Sequence, residues 1–286
     1  MKGGQMASSL EQYVRQAKNG DRQSLETVVS RIQDKIYGLA LRMLGNPDDA
    51  EDEAQEILIK IITHLSDFRE ESAFTSWVYR IACNHLLTAL NRNRGHLGMT
   101  FEFLEEQISA EPENTHPLAV PGPERHLLEE EARLDCMQGV LACLETEMRI
   151  VFILGDLYGF TSKEGAFILD ITPEAFRKRL SRGRKSMQHF MMQHCGLVNE
   201  SNPCRCHKLA AKKLKSGGTS SPKPSFVKKD EAAKGRTKAL ACLKELTEID
   251  RTVSMFRRYP EYRSPDSFTN IVKELVDSGN YKIFMQ

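Results

Sequence analysis

Long apolar runs are missing from this chain of 286 residues, of which 28% are charged. No run approaches the roughly 20 consecutive apolar residues that cross a bilayer. The first residues, MKGGQMASSLEQYVRQ, also lack the apolar core of a secretory signal peptide. We therefore expect a soluble, cytoplasmic protein that does not bind membranes.

Cysteines are few, and their pattern does not suit a secreted disulfide scaffold. The seven cysteines form an odd set, and four of them lie singly in or beside apolar helical stretches. This arrangement indicates a reducing compartment.

Strand patterns and catalytic motifs are missing as well. No segment alternates apolar and polar residues over a strand's length, which predicts an all-α fold. The chain has no Gly-rich phosphate loop, no nucleophile paired with a base and no acid dyad, so we expect that it is not an enzyme. The scattered histidines His64, His85, His96 and His116 are interpreted as structural or exposed.

Charge is sorted along the chain although the net charge is only +1. Residues 46–56 hold six acids and no base, 102–131 hold nine Glu and one Arg, 171–190 hold six bases and one acid, and 205–238 hold eleven bases and two acids. Because partners respond to local fields, the average charge does not exclude nucleic-acid binding.

Periodicity and its breaks divide the chain into five parts. Residues 10–95 repeat apolar residues at helical spacing and are predicted to form a bundle. Residues 96–123, rich in Pro and Glu, are predicted to be an acidic linker. Residues 124–192 are predicted to form a second helical domain. A Cys-containing segment and a basic flexible linker fill 193–229, and a small helical extension fills 230–286, with helices near 230–257 and 266–278.

Two helix starts about ten residues apart predict a helix-turn-helix. Thr161 and Glu164 fit a capping box, and Thr172 precedes Pro173 at the second start. The second helix, PEAFRKRLSRGRKSM, should turn four bases outward: Arg177, Lys178, Arg182 and Lys185. Such a helix suits the major groove, where an Arg side chain pairs with guanine and the other basic side chains contact phosphates. A solvated basic helix is the alternative.

Two segments of the first part have more than one interpretation. PDDAEDEAQE is an exposed helix start, a cation-binding cluster or a docking surface for a basic partner, although its Asp spacing disfavours an EF-hand. Trp77, the only tryptophan, lies among aromatic, Arg and Asn residues that can stack on and pair with unstacked bases. Core packing is its other common role.

The spans DAEDEAQEILIKI and FTSWVYRIACN and the helix-turn-helix together resemble an extracytoplasmic-function (ECF) sigma factor of bacterial RNA polymerase, over about residues 10–192. The resemblance implies that the first domain is sigma region two and that residues 124–192 are sigma region four. It implies docking on core polymerase through Asp49, Asp52, Gln55 and Glu56. It implies contact with the downstream promoter element through Trp77, Arg80, Asn84 and Arg92. It implies contact with the upstream element through Arg177, Lys178, Arg182 and Lys185.

Two positions depart from the family pattern. Thr88 stands where the family usually has Asp, and Gly165 stands where the first helix of the helix-turn-helix usually has a branched apolar residue. A glycine inside a helix costs about 1 kcal/mol relative to alanine.

The segment HCGLVNESNPCRCH resembles the cysteine-rich tails of some longer members. Its three thiols and one imidazole, from Cys195, Cys204, Cys206 and His207 or His194, could hold zinc or another metal in a tetrahedral site. A redox switch and an inert turn are the alternatives. No cofactor is required for the expected function.

The sequence therefore predicts a sigma factor that directs RNA polymerase to specific promoters, assists DNA melting and is regulated by its C-terminal extension. Core RNA polymerase and promoter DNA are the expected partners, with an anti-sigma factor or self-inhibition by the extension as further candidates. The competing hypothesis is a one-component helix-turn-helix regulator that senses metal or redox state.

Overall fold

The computed structural model describes residues 3–92, 99–109, 122–215, 248–257, 262–265 and 268. These residues form helices and turns with no strand among them, so the all-α prediction is confirmed. The helices are α1 (Gly3–Lys18), α2 (Arg22–Leu44), α3 (Pro47–Thr63), α4 (Phe74–Arg92), α5 (Phe101–Ser109), α6 (Gly122–Ala142), α7 (Thr146–Phe152), α8 (Ser162–Leu169), α9 (Pro173–His194), α10 (Cys206–Lys215) and α11 (Glu248–Arg257). None of the described helices is long and apolar enough to span a membrane.

The described residues belong to two compact units. The first unit takes in those within 1–93, 166–171 and 261–286, and the second takes in those within 94–165 and 172–260.

In the first unit, α2 packs against α1, α3 and α4. The apolar stripe of α2 is buried as the spacing predicts, with Leu25 and Ile36 at most 1% exposed. Gly45 ends α2 in the left-handed region, at φ 73°, and its N–H donates to the Leu41 carbonyl at 2.8 Å. Asn46 then caps α3 by accepting from the Asp48 N–H at 2.8 Å, with Pro47 in the first turn. The sharp α2–α3 connection is thus encoded locally.

In the second unit, α7 packs on α9 and runs into a π-helical turn (Ile153–Leu157). Arg149 of α7 is 3% exposed and donates to the Leu144 carbonyl at 2.9 Å, so its buried guanidinium closes the α6–α7 connection. Burial lowers the pKa of Arg149 to about 10, which leaves it charged at neutral pH. Helix α10 lies along α6.

Two sequence predictions need correction or fall partly outside the described residues. The predicted acidic linker, 96–123, contains helix α5, whose Phe101 ring packs 5.2 Å from that of Phe190. Apolar positions among the Glu residues therefore suffice to dock a short helix. Of the helices predicted near 230–257 and 266–278, the structure describes 248–257 as helical, and the second lies almost wholly outside the described residues.

Candidate nucleic-acid interface

Helix α9 presents one basic face. The four bases predicted to face DNA, Arg177, Lys178, Arg182 and Lys185, are all exposed. Phe176 and Met187 on the packed side are at most 1% exposed. This arrangement places positive charge on the solvent side of a helix that is anchored by its apolar side.

The two remaining bases of this stretch form ion pairs within the second unit. Arg179 pairs with Glu147 at 2.6 Å. Arg184 donates from Nε and Nη2 to both oxygens of Asp156, each at 2.7 Å, and the Asp156 side chain is fully buried. This bidentate bond raises the pKa of Arg184. The pairs fix α9 on α7 and the π-helical turn, so that only part of its charge faces outward.

The starts of α8 and α9 have the predicted capping chemistry. The Thr161 N–H donates to the Glu164 carboxylate at 2.8 Å and the Glu164 N–H donates to Thr161 Oγ1 at 3.3 Å, which is a capping box. Thr172 Oγ1 accepts from the Ala175 N–H at 3.1 Å. Both helix starts are therefore confirmed.

Gly165 is explained by the ring of Phe176. A Cβ at position 165 would lie 2.2 Å from Phe176 Cε2 and 2.5 Å from Cζ. Because the Phe176 side chain is 1% exposed, its ring has little room to move away. The departure from the family pattern is thus compensated by an aromatic residue that fills the space of the usual branched side chain.

Helix α4 lines a cleft of about 750 Å³ in the first unit. Three of the four residues predicted to contact the downstream element, Trp77, Asn84 and Arg92, line it together with Thr88. The half-buried Trp77 ring lies 5.7 Å from Phe74 and 5.5 Å from Phe68, so it is held by aromatic neighbours while one part faces the cleft. Arg80 does not line the cleft, and its guanidinium contacts the Asp170 carboxylate at 3.3 Å within the first unit.

The start of α3 is an acidic surface. Asp49, Asp52 and Glu56 are exposed, and Gln55 is half-buried and donates to Glu51 at 3.4 Å. Ala50 and Ala54 on the other side of the helix are fully buried. The acidic residues therefore project from a helix that the core holds in place.

Comparisons with known proteins match these same helices. The Sigma-70 region 2 family matches residues 28–96, and the Sigma-70 region 4 family matches residues 134–187. The chain is 30% identical to the RNA polymerase sigma-H factor of Pseudomonas aeruginosa over 181 residues, which are 62% of this chain and 91% of that protein. It is 30% identical to the ECF RNA polymerase sigma-E factor of Escherichia coli, with the same coverage of both chains.

The chain belongs to the ECF sigma factors. It directs RNA polymerase to specific promoters, and members of this family are transcription initiation factors rather than enzymes. The competing hypothesis of a one-component regulator is not favoured.

Two solved structures are similar to parts of this sigma factor. The structure of CnrH in complex with the cytosolic domain of CnrY is 20% identical, with a TM-score of 0.45, and the match covers 63% of this chain and 94% of that one. The sigma factor RpoE of Bartonella quintana in complex with the anti-sigma factor NepR is 21% identical, with a TM-score of 0.41, and the match covers 57% and 93% of the two chains.

The cleft of this sigma factor also contains a row of titratable residues whose contacts sequence reasoning missed. His85 Nε2 contacts the Glu53 carboxylate, and Lys60 Nζ lies 2.5 Å from His85 Nδ1. The row spans α3 and α4, so no spacing along the chain could reveal it. The sequence alone predicts only a structural or exposed role for His85.

The predicted metal ligands are only partly brought together. Among the described residues, no group of three or more His, Cys, Asp or Glu side chains is positioned to hold a metal ion, so Cys195, Cys204, Cys206 and His207 are not a preformed site. Cys195 and Cys204 do pair through an isolated backbone bridge. Burial raises the pKa of Cys136 of α6, and the thiols of Cys195, Cys204 and Cys206 raise it further.

Proposed function

We propose a cytoplasmic initiation factor that catalyses no reaction of its own and uses three separate surfaces: α3 for core polymerase, the α4 cleft for the downstream promoter element and α9 for the upstream element. The observation that carries the proposal is the exposed basic face of α9, from which Arg179 and Arg184 are withdrawn into ion pairs. The two ion pairs hold the packed side of α9, while the basic face stays exposed to solvent.

On α9, Arg177 and Arg182 are the candidates for base contacts, and Lys178 and Lys185 for phosphate contacts. Arg forms two hydrogen bonds with a guanine edge, whereas Lys acts as a point charge. Replacing a base-contacting Arg should relax specificity at one promoter position, and replacing a phosphate-contacting Lys should weaken binding to all sequences.

In the α4 cleft, Trp77 offers a stacking surface and Asn84 and Arg92 offer hydrogen-bond donors beside it. Stacking on an aromatic ring favours bases that have left the duplex, because only an unstacked base exposes its face. Binding of such bases stabilises the melted promoter. The protein can therefore assist melting through binding alone, without catalysing a reaction.

The polymerase role of α3 is tested by charge reversal. The double variant Asp49→Lys/Asp52→Lys should lose binding to core polymerase and keep binding to upstream-element duplex. Glu26→Lys/Glu71→Lys is a matched control, because both residues are exposed in the first unit and the change in net charge is the same. If the α3 variant initiates from a promoter library as well as the wild type does, α3 is not the docking surface.

The C-terminal extension regulates initiation in this proposal by covering part of α2. The Ser264 N–H and hydroxyl donate to Asp34 Oδ1 at 2.9 and 2.6 Å. The Phe268 ring, 1% exposed, meets Tyr37 of α2 edge-on at 6.1 Å. These contacts bury apolar and polar groups of the extension on the domain that matches region two.

The part of α2 that the extension covers lies beside the acidic surface of α3. Burial raises the pKa of Tyr37, and the charges of Glu51 and Asp48 raise it further, so the ring lies within electrostatic range of the first turn of α3. A segment that covers Tyr37 therefore sits beside the surface proposed to dock on polymerase. We expect it to restrain docking by occupying space that the polymerase needs.

Loosening the extension tests this restraint. Phe268→Ala should increase binding to core polymerase and initiation, because it removes the edge-on contact with Tyr37. A control is Phe256→Ala, since Phe256 of α11 packs on Phe152 in the second unit, 5.7 Å away. Unchanged or weaker polymerase binding by Phe268→Ala would contradict the restraint while leaving the three surfaces in place.

A further inference from the structure

The C-terminal half of α2 is buried on every side. All residues from 36 to 43 are buried, and they include Gly38 and Arg42. A helix at the surface of a small domain normally buries one stripe and leaves the opposite face in water. Arg42 is 5% exposed, and an arginine is rarely buried to this extent without a partner. Some element therefore covers the face of α2 that bears Arg42.

Tyr262 of the C-terminal extension covers this arginine. The guanidinium carbon of Arg42 lies 4.4 Å from the centre of the Tyr262 ring, which is a cation–π contact. Tyr262 is itself 5% exposed, so the contact is removed from water and is stronger than one at the surface. Arg42 Nη1 also donates to the Gly38 carbonyl at 2.9 Å. The tyrosine ring thus packs on a cation that α2 itself holds in place.

Gly38 provides the space in which the ring and the guanidinium meet. A Cβ at position 38 would lie 2.9 Å from Arg42 Nη1 and 3.4 Å from Tyr262 Cδ2. Glycine is unfavourable inside a helix relative to alanine, so its presence in the middle of α2 needs a reason. The close approach of Arg42 and Tyr262 supplies that reason.

Two further contacts join the extension to the same helix. The Ser264 N–H and hydroxyl both donate to Asp34 Oδ1, and the Phe268 ring meets Tyr37 edge-on. Residues three and four positions apart lie on one face of a helix. One face of α2 therefore bears all the contact residues, which are Asp34, Tyr37, Gly38 and Arg42.

The covering segment presents its side chains as an extended peptide does. Residues 262–265 are not helical, and Tyr262 and Ser264 are buried whereas Arg263 between them is exposed. Side chains of an extended chain alternate between two faces in this way. A few side chains of one short segment thus make the contacts, so a free peptide can carry the same determinants.

We propose that this face of α2 is a peptide-binding site for the pattern Tyr-x-Ser-x-x-x-Phe, which residues 262–268 supply from the same chain. The tyrosine of the pattern packs on Arg42, its serine donates to Asp34, and its phenylalanine meets Tyr37. The hydrogen bonds to the Asp34 carboxylate fix the register of the segment, and the two aromatic contacts supply most of the affinity. The site deepens the proposed function, on which it rests, by naming the contacts through which the extension restrains docking.

The test uses a full-length chain whose own segment no longer fills the site. The variant Tyr262→Ala/Phe268→Ala removes both aromatic contacts, and the probe is the fluorescently labelled peptide PEYRSPDSFTN, residues 260–270. Fluorescence anisotropy should show saturable binding of the peptide to this variant. Binding to the wild-type chain should be much weaker, because its tethered segment competes at an effective concentration in the millimolar range.

Substitutions in the peptide identify the anchor without changing the fold of the protein. Tyr262→Ala in the peptide should weaken binding by at least about 30-fold, which is the effect of losing a cation–π contact that is out of water. Arg263→Ala in the peptide is the matched control and should bind equally well, because this residue is exposed. Adding Arg42→Ala to the protein variant should produce the same loss as Tyr262→Ala in the peptide.

Three results would overturn the peptide site. They are the absence of saturable binding to the variant, equal binding to the variant and the wild type, and equal affinity of the Tyr262→Ala and unchanged peptides. Because polymerase is absent from these assays, their outcome does not depend on the docking role of α3. A peptide that binds the variant as expected but leaves its binding to core polymerase unchanged supports the site and contradicts only the restraint.

Discussion

Replacing Gly165 by alanine should destabilise the second unit although alanine is the better helix former. The new Cβ would meet three atoms of the Phe176 ring at 2.2, 2.5 and 2.8 Å, where carbon atoms ordinarily approach to about 3.5 Å. Overpacking of this kind costs about 1–3 kcal/mol, and the buried ring argues for the upper end. Subtracting the gain in helix propensity of about 1 kcal/mol leaves a net loss of roughly 1–2 kcal/mol.

Gly139→Ala in α6 is the matched control for this substitution. Its nearest neighbour would be Leu104 Cδ1 at 3.6 Å, an ordinary contact. We therefore expect that variant to gain about 1 kcal/mol from helix propensity. The two glycines differ in the space around them and not in secondary structure, so opposite signs would isolate the contact with Phe176.

Urea unfolding followed by two probes measures the effect. Far-UV circular dichroism reports the helices of both units, and fluorescence of Trp77, the only tryptophan, reports the first unit. Gly165→Ala should shift the dichroism transition to lower urea and leave the fluorescence transition unchanged. Wild-type or higher stability of Gly165→Ala would refute the reasoning, because the ring would then have room to move.

Three further predictions concern other contacts. Asp156→Ala should lower the free energy of unfolding by about 2 kcal/mol in urea titrations, because it leaves Arg184 without its buried partner; the value is below the usual 3–5 kcal/mol since the Arg184 side chain is 40% exposed. A smaller loss than that of Arg179→Ala would contradict the ranking. Hydrogen bonds from Thr161 hold the pKa of Glu164 below its usual 4.5, so Glu164→Ala should lower the melting temperature at neutral pH. That difference should shrink as the pH falls below 4.5 and through the lower folded pKa; a difference that persists at lower pH would show that the cap is not electrostatic. Trp77→Ala should weaken binding of polymerase holoenzyme to single-stranded downstream element by about 1–3 kcal/mol in fluorescence anisotropy, with Trp77→Phe keeping most of the affinity. Equal loss in both variants would argue against stacking.

The local features of this sigma factor could be predicted from sequence because neighbouring residues determine them. Asn46 and Pro47 start α3, Thr161 and Glu164 form their capping box, and Phe176 with Met187 marks the packed side of α9. Each depends on the intrinsic period of a helix or on hydrogen bonds that reach three residues or fewer. The same reasoning failed for 96–123, where composition indicated a linker and Phe101 nonetheless docks on Phe190.

Contacts between distant parts of the chain could not be obtained in this way. Spacing alone does not connect Cys136 with Cys195, Cys204 and Cys206, because these three cysteines lie about 60 residues or more away along the chain. The same holds for the ion pair between Asp156 and Arg184. It also holds for Gly165, whose lack of a side chain leaves room for the ring of Phe176. Helical periodicity states which side of a helix is buried, but only the packing of one helix on another decides which residue it is buried against.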